Sequence, residues 1–223
     1  MVRVHVLVEG EAEETFAREV LPPHFTPRGI YLFPRRLGKP GHKGGVGEYS
    51  RARRDILATL KQEPACVCTT MFDYYAMPNS WPNRETARQK PFAARPIAIE
   101  EAILVDISDE LGTGFNCGRF IPYVQMHEFE ALLFSDPKLL AVGLELMDDA
   151  PVQGIRDRFH SPEEINDSQQ TAPSKRIKGL NKGYDKVLQG VLISQKIGLG
   201  AMRAQCPHFN EWIEKLEALA HRR

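Results

Sequence analysis

The sequence predicts an α/β fold with a mainly parallel sheet of about four strands and helices on both faces. Short runs rich in valine, isoleucine and aromatic residues alternate with longer helical patterns, as in strand–helix–strand units. The run at 65–72 is apolar on both faces, which is typical of a central parallel strand. After residue 136 no strand pattern recurs, so we expect an α/β core over 1–136 and a helical extension, packed on that core, over 137–223.

Four strands are predicted in the first part of the chain. Alternating valines indicate the first, at 2–8. The second and third cover 29–35 and 65–72. The fourth covers 119–125 and contains Pro122, which indicates an edge strand or a bulge.

Helices are predicted between and after these strands, from apolar periodicity and from glycine and proline at their ends. They cover residues 12–21, 48–62, 96–112, 184–196 and 208–221, with a further helix beginning at His127.

Length and composition are those of an ordinary globular protein. The 223 residues carry no formal net charge, so overall charge names no partner. No apolar run approaches the roughly 20 residues of a membrane span, and the chain starts with a strand. We therefore expect a cytoplasmic protein that does not enter a membrane. The four cysteines form no Cys-x-x-Cys pair, which argues against a structural zinc site.

Acidic residues follow three of the predicted strands. Glu9 ends the first, Asp73 ends the third, and Glu128 and Glu130 come just after the fourth. Ligands of open α/β sheets bind outside the carboxyl ends of the strands. Clustered carboxylates without thiolates suit Mg²⁺ or Mn²⁺, the usual ions of phosphoryl transfer and phosphodiester cleavage. The alternative is that each acid is a solvated residue at a turn or helix start.

Three motifs carry a resemblance to a known group of proteins. They are VEGEAEETF, ACVCTTMFDYY and QMHEFEALLFSD, each after a predicted strand. Together with the surrounding sequence they resemble a family of small bacterial proteins, classed as a domain of unknown function in the Toprim-like group. Relatives in that group include topoisomerases, primases and nucleases of the overcoming-lysogenization-defect type. The resemblance covers nearly the whole chain and implies a Toprim-like fold.

The resemblance also implies roles for the acids. Glu9 matches the glutamate that is a metal ligand or general acid/base, and Glu13 matches an acid that the nuclease branch uses for a second metal. Asp73 matches the first aspartate of an Asp-x-Asp motif. Glu128 and Glu130 resemble a later acidic pair. We favour Glu130 as the inward acid because on a helix it shares a face with His127, which is either a ligand or proton shuttle or a packing residue.

One residue departs from the motif pattern of the Toprim-like group. Tyr75 replaces the second aspartate of Asp-x-Asp, which disfavours a topoisomerase or primase but is compatible with the nuclease branch. Tyr74 or Tyr75 could stack on a base or simply pack in the core. Nuclease relatives often act in phage defence with an ATPase, and any such ATPase would here be a separate polypeptide.

Basic residues form two further candidate groups. The segment 28–54 carries eight Lys/Arg against one acid, and its glycine-rich loop is either a nucleic-acid backbone contact or a solvated surface loop. The candidate nucleic-acid residues are Arg35, Arg36, Lys39 and Lys43. A second basic stretch covers 174–186. In the nuclease relatives a lysine from a later segment neutralises charge at the scissile phosphate. Lys175 and Lys182 are the candidates for this role here, and the alternative is that both are ordinary surface lysines.

Three functions follow from these observations. The first is a Mg²⁺- or Mn²⁺-dependent nuclease acting on DNA or RNA. The second is a non-catalytic Toprim-like binding or regulatory subunit. The third is a phosphotransfer enzyme or phosphatase with a small substrate.

Overall fold

A parallel sheet runs through the centre of the protein, as the alternation of strands and helices predicts. The computed structural model describes residues 1–38, 47–75, 77–166 and 170–221. The strands are β1 (Val2–Val8), β2 (Ile30–Arg36), β3 (Val67–Asp73), β4 (Phe120–Ile121) and β5 (Val124–Gln125). Their order is β2-β1-β3-β4, β5 also pairs with β3, and all pairs are parallel.

Ten α-helices connect and follow the strands in the described residues. They are α1 (Glu11–Glu19), α2 (Pro22–Phe25), α3 (Tyr49–Gln62), α4 (Arg84–Ala87), α5 (Ala94–Leu111), α6 (Pro137–Gly143), α7 (Ala150–Arg156), α8 (Pro173–Leu180), α9 (Val191–Gln205) and α10 (Pro207–Glu217). Short 3₁₀ turns occur at Thr26–Arg28, Cys117–Arg119, Phe129–Ser135, Pro162–Glu164 and Ala218–His221, and a π turn at Lys186–Gly190. No strand follows β5 in the described part of the chain, as predicted.

Each face of the sheet has its own hydrophobic core, which is why β3 and the last three residues of β1 are buried on both sides. Alternate residues of β1 divide between the cores: Val4 and Val6 face one, and Leu7 faces the other. The first core includes α1, α9 and α10, and the second includes α3 and α5. Helices therefore cover both faces, as the apolar run of β3 predicts.

The fourth predicted strand is divided into β4 and β5. Pro122 has no N–H to donate, and it lies between the two pieces at the edge of the sheet. The Thr70 side chain bridges the gap: its Oγ1 accepts from the N–H of Tyr123 at 2.8 Å and donates to the Tyr123 carbonyl at 2.9 Å. The expected interruption at Pro122 is thus confirmed.

The C-terminal helices share a core with the sheet. Trp212 of α10 donates its indole N–H to Thr69 Oγ1 of β3 at 2.8 Å, and its ring stacks on Tyr123 with centroids 4.4 Å apart. The hydrophobic cluster on this face runs from Val4 to Leu219. The helical part beyond residue 136 is therefore packed on the same core as the strands.

One predicted helix has a different form. The chain stays extended at Glu128 and then makes the 3₁₀ turn Phe129–Ser135, before α6 begins at Pro137. Every residue of that turn is buried. A segment buried on all sides lacks the polar face from which an amphipathic surface helix is recognised.

No helix among the described residues is long and apolar enough to cross a membrane.

Candidate functional site

The acids of the first and third strands meet at the carboxyl end of the sheet. Because β1 and β3 are adjacent and parallel, with Val8 opposite Met71, the residues that follow them come close together. Glu9 lies in the bend after β1, and its Oε2 accepts from the backbone N–H of Asp73, the last residue of β3, at 3.3 Å. This is the edge of the sheet at which α/β proteins bind their ligands.

Helix α1 brings a third acid to this edge. Glu13 lies on the buried side of its first turn, where the helix dipole favours negative charge. The residue before α1 is Gly10, whose φ of −131° any residue can adopt. A Cβ at this position would lie only 2.7 Å from Glu13 Oε2. A larger residue at position 10 would therefore displace the Glu13 carboxylate, which lies against the Gly10 backbone.

Lys186 lies at the centre of the acids. Its Nζ is 2.8 Å from Glu13 Oε1, 3.2 Å from Glu130 Oε2 and 3.8 Å from Asp73 Oδ2. We call Glu9, Glu13, Asp73, Glu130 and Lys186 the acidic site. Its members come from four separate parts of the chain, at 9–13, 73, 130 and 186, so only the complete fold assembles it.

The base of Lys186 is held in the π turn that precedes α9. Asp185 starts this turn and accepts from the N–H of Leu188 at 2.8 Å. Val187, which follows Lys186 in the chain, lines the cavity beside the acids. π turns are rare and are frequently found at functional sites.

Burial and mutual repulsion disfavour the charged acids, and Lys186 offsets this. Burial raises the pKa of Asp73 well above its usual range, Lys186 opposes the rise, and the neighbouring carboxylates add to it. Burial likewise raises the pKa of Glu130, again opposed by Lys186. For Lys186 itself burial lowers the pKa, but the surrounding carboxylates outweigh burial and hold it well above the usual range.

Some oxygen atoms of the site remain without a partner. Asp73 Oδ1 and Glu130 Oε1 are buried and have neither a hydrogen bond nor an ion pair among the described residues. Buried polar atoms in this state are expected to bind something further. Carboxylate oxygens with no thiolate beside them are the donors that Mg²⁺ or Mn²⁺ prefers, so the residues fit such an ion.

The spacing of the carboxylates limits how an ion would be held. Among the described residues, the acids of this site do not bring three carboxylate oxygens within 4.8 Å of one another. With Lys186 between them, they surround the ammonium group. An ion of the Mg²⁺ type keeps several waters and commonly takes only one or two protein carboxylates, which this spacing permits.

A cavity of about 180 Å³ opens beside the acids. Its lining residues are Glu9, Gly10, Glu11, Ala12, Glu13, Asp73, Lys186 and Val187. Lys186 and the first residues of α1 both line this space, so an anionic group could enter it next to the carboxylates.

The two acids after the fourth strand have different positions. Glu130 lies in the acidic site, whereas Glu128 Oε2 accepts from the N–H of Ser174 at the start of α8, at 3.0 Å. His127 packs in an aromatic pocket against Tyr74 and Phe92. Burial lowers its pKa to about 4, so at neutral pH it is an uncharged packing residue.

The two tyrosines after β3 also differ. Tyr74 is buried, with the Arg84 guanidinium 3.8 Å above its ring and donating to its hydroxyl at 2.9 Å. Tyr75, which replaces the second aspartate of the motif, is half-buried. The ring of Tyr74 is therefore enclosed by protein and is not presented to a base.

The predicted lysines lie outside the acidic site. Lys175 and Lys182 are exposed, and neither forms an ion pair with an acid of the described residues. The lysine that the structure brings to the acids is Lys186, the last residue of the same basic stretch.

The predicted nucleic-acid residues divide into three groups. Arg36 pairs with Glu14 of α1 at 2.9 Å and lies 3.6 Å from Glu11, which lines the cavity. Arg35 points to the other face of the sheet and donates to Thr59 Oγ1 at 2.8 Å. Lys39 and Lys43 lie outside the described residues.

A separate group with metal-ligand chemistry lies away from these acids. His5, Glu63 and Cys66 bring one ligand atom each within 4.8 Å of one another. Glu63 already pairs with His5 at 2.8 Å and with Arg3 at 3.0 Å. We read this group as an internal tie between β1 and the connection that leads into β3.

A charge at the start of a helix could have identified Lys186 from the sequence. The predicted helix 184–196 places this lysine in its first turn, where the helix dipole disfavours a cation. A cation in such a position indicates an acidic partner elsewhere in the fold. Basic composition alone points equally to the exposed lysines of the same stretch.

Comparison with known proteins supports the predicted fold. No curated protein matches the chain. Among solved structures, the C-terminal region of the Burkholderia pseudomallei OLD protein is similar over 99% of both chains, with a TM-score of 0.52 and 14% sequence identity. At this identity the likeness shows the fold alone, and it confirms the predicted α/β fold with a parallel sheet flanked by helices. The family model "Domain of unknown function (DUF4276)" matches residues 8–217, nearly the whole chain. The protein therefore belongs to the DUF4276 family.

Proposed function

We propose that this protein is a nuclease that hydrolyses phosphodiester bonds with the help of Mg²⁺ or Mn²⁺. The observation that carries the proposal is the acidic site, in which buried oxygens of Asp73 and Glu130 lack partners beside a lysine ammonium. The Toprim-like fold and the likeness to the OLD C-terminal region support it.

Each residue of the site has a proposed role. Glu9 and Asp73 would hold the divalent ion, with Glu13 and Glu130 completing the negative surroundings. When bound, such an ion polarises a phosphate and activates water. Lys186 lines the cavity, and its ammonium group would stabilise the negative charge that develops on the phosphate oxygens.

The proposed substrate is DNA or RNA. Arg36 lies next to the cavity-lining turn of α1 and could contact a phosphate that flanks the reacting one. Lys39 and Lys43 follow it in the chain and remain proposed backbone contacts. A separate ATPase, acting with this protein in phage defence, is the partner that the family resemblance suggests.

The test is a cleavage assay with purified protein, Mn²⁺ and labelled single- and double-stranded DNA and RNA. We expect cleavage by the wild type and a loss of at least about 100-fold in Glu9→Gln and Asp73→Asn. Glu19→Gln is the matched control, because Glu19 is an exposed acid at the end of α1. Retained activity in both site variants would contradict the proposal.

A second function is favoured by one observation. Lys186 already pairs with the acids, so the site is partly neutralised without a metal ion. A non-catalytic Toprim-like module that binds nucleic acid or a partner would need nothing more. Binding of nucleic acid without any cleavage in Mn²⁺, alone or with a neighbouring ATPase, would support this alternative. Release of phosphate from a small phosphate ester would instead indicate phosphotransfer chemistry.

A further inference from the structure

We propose that Lys186 takes the place of a second metal ion, so that the acidic site binds one divalent cation per chain. The inference rests on the proposed metal-dependent function. Many sites that cleave phosphodiesters hold two ions about 3.5–4 Å apart, which share carboxylate ligands. Here the carboxylates that would hold one of two such ions surround an ammonium group.

The first argument for this inference is the position of the Lys186 ammonium group. Lys186 Nζ lies 2.8 Å from Glu13 Oε1 and 3.2 Å from Glu130 Oε2. An ion that used these two oxygens at about 2.1 Å would have to occupy the space of the ammonium group. Glu13 and Glu130 thus have a cation already, supplied by the chain.

The second argument for this inference is the different surroundings of the two Asp73 carboxylate oxygens. Asp73 Oδ2 is 3.8 Å from the same ammonium, whereas Asp73 Oδ1 has no partner among the described residues. Its two oxygens therefore face different surroundings, as do those of a carboxylate that bridges two ions. Glu9 accepts a hydrogen bond from the backbone N–H of Asp73 at 3.3 Å and lines the same cavity as Asp73. One divalent ion at Asp73 and Glu9, beside the ammonium, satisfies this arrangement.

The anchoring of Lys186 carries the third step. Its side chain is only 33% exposed, and its Nζ lies 5.9 Å from the centre of the Phe129 ring. The π turn at its base is fixed by Asp185, and Gly190 closes the turn against Tyr184, where a Cβ would lie 2.7 Å from the Tyr184 hydroxyl. A surface lysine that merely visited the acids would not need this local structure.

The repulsion between cations carries the last step. A second divalent ion close to Asp73 would lie near both the first ion and the ammonium in a partly buried site, where like charges repel more strongly than in water. Replacing the lysine with a neutral side chain of similar length removes this repulsion and frees two carboxylates. The variant is therefore expected to bind an ion that the wild type excludes.

The experiment counts Mn²⁺ ions bound to the full chain, by isothermal titration calorimetry and electron paramagnetic resonance. We expect one Mn²⁺ per chain in the wild type, with the spectrum of an isolated ion. Lys186→Met should bind two, with the broadened spectrum of spin-coupled ions. Lys182→Met is the matched control, because Lys182 is an exposed lysine of the same stretch, and it should bind one.

The outcomes separate this inference from the proposed function. Two coupled Mn²⁺ ions in the wild type, or one ion in a folded Lys186→Met variant, would overturn the inference and leave the metal-dependent function standing. Absence of any Mn²⁺ binding by the wild type would overturn the proposed function itself. If Lys186→Met does not fold, Lys186→Gln replaces it, and the wild-type stoichiometry alone still decides whether the site holds one ion or two.

Discussion

Single residues at the carboxyl end of the sheet are placed by burial as much as by charge. Glu128 and Glu130 are two positions apart, yet one binds the start of α8 and the other pairs with Lys186. The neighbouring His127 is enclosed by aromatic rings and kept uncharged. The burial of His127 makes stability depend on pH, because in mild acid this histidine is protonated in the unfolded chain but not in the folded chain.

We predict that replacing His127 with Phe makes the protein less sensitive to mild acid. Burial, together with the nearby positive charges of Arg95 and Arg84, lowers the His127 pKa from 6.5 to about 4. The contribution to stability is complete above about pH 6.5 and is lost as the pH falls towards 4. From pH 7.5 to pH 5 this lowers the free energy of unfolding by about 2 kcal/mol in the wild type.

Urea unfolding at the two pH values measures this effect. The fall in the free energy of unfolding between pH 7.5 and pH 5 should be about 2 kcal/mol smaller in His127→Phe than in the wild type. His160→Gln removes an exposed histidine and should leave the decrease unchanged. Equal decreases in the wild type and His127→Phe would show that His127 is not buried in its neutral form.

At the scale of helices and strands, the start of α10 shows how distant segments satisfy a helix end. Both oxygens of the buried Glu163 side chain accept backbone N–H groups from the first turn of α10, from His208 at 3.1 Å and from Phe209 at 2.9 Å. Pro207 occupies the first position of the helix and is exposed, whereas His208 and Phe209, which follow it, are buried. A carboxylate from another segment thus does the work of a local capping residue.

We predict that Glu163→Ala lowers the free energy of unfolding by about 1–2 kcal/mol, because two buried N–H groups lose their acceptor. Urea unfolding followed by circular dichroism measures the change. Glu211→Ala, which removes an exposed acid from the same helix, should change stability by less than about 0.5 kcal/mol. Equal effects of the two substitutions would mean that the cap contributes nothing.

The strands could be predicted from the sequence, but one turn of the site could not. Alternating valines give β1 its bounds, and the doubly apolar run of β3 places it at the centre of the sheet. Phe129–Ser135 is buried on every side, so its sequence has no period that distinguishes a 3₁₀ turn from a helix. Glu9, Asp73 and Glu130 could be foreseen because they follow strands that end at one edge. Basic composition alone does not distinguish Lys186 from its neighbours, because its contacts depend on how the last helices pack.

At the scale of the whole molecule, two hydrophobic cores lie on opposite faces of one sheet. Each contains one of the two tryptophans: Trp212 in the core with α10, and Trp81 in the core with α3 and α5. Both cores depend on β1 and β3, whose side chains alternate between them. Unfolding of one core should therefore disrupt the strands against which the other core packs.

We predict that the two cores unfold together. Trp81→Phe and Trp212→Phe each leave one tryptophan, which reports on one core by its fluorescence. Within each variant, the urea midpoint from fluorescence should coincide with the midpoint from far-ultraviolet circular dichroism. A fluorescence transition that precedes the loss of secondary structure in either variant would show that its core unfolds separately.

Both free edges of the sheet are protected against pairing with other chains. An open edge presents unpaired backbone groups to which a foreign strand can add, and this is a common route to aggregation. Here β2 has Pro34 within it, and the opposite edge is broken at Pro122 into two pieces of two residues. Neither edge offers a long uninterrupted row of N–H donors. The same prolines that shorten the sheet should therefore help the protein to remain dispersed at the concentrations reached in a cell.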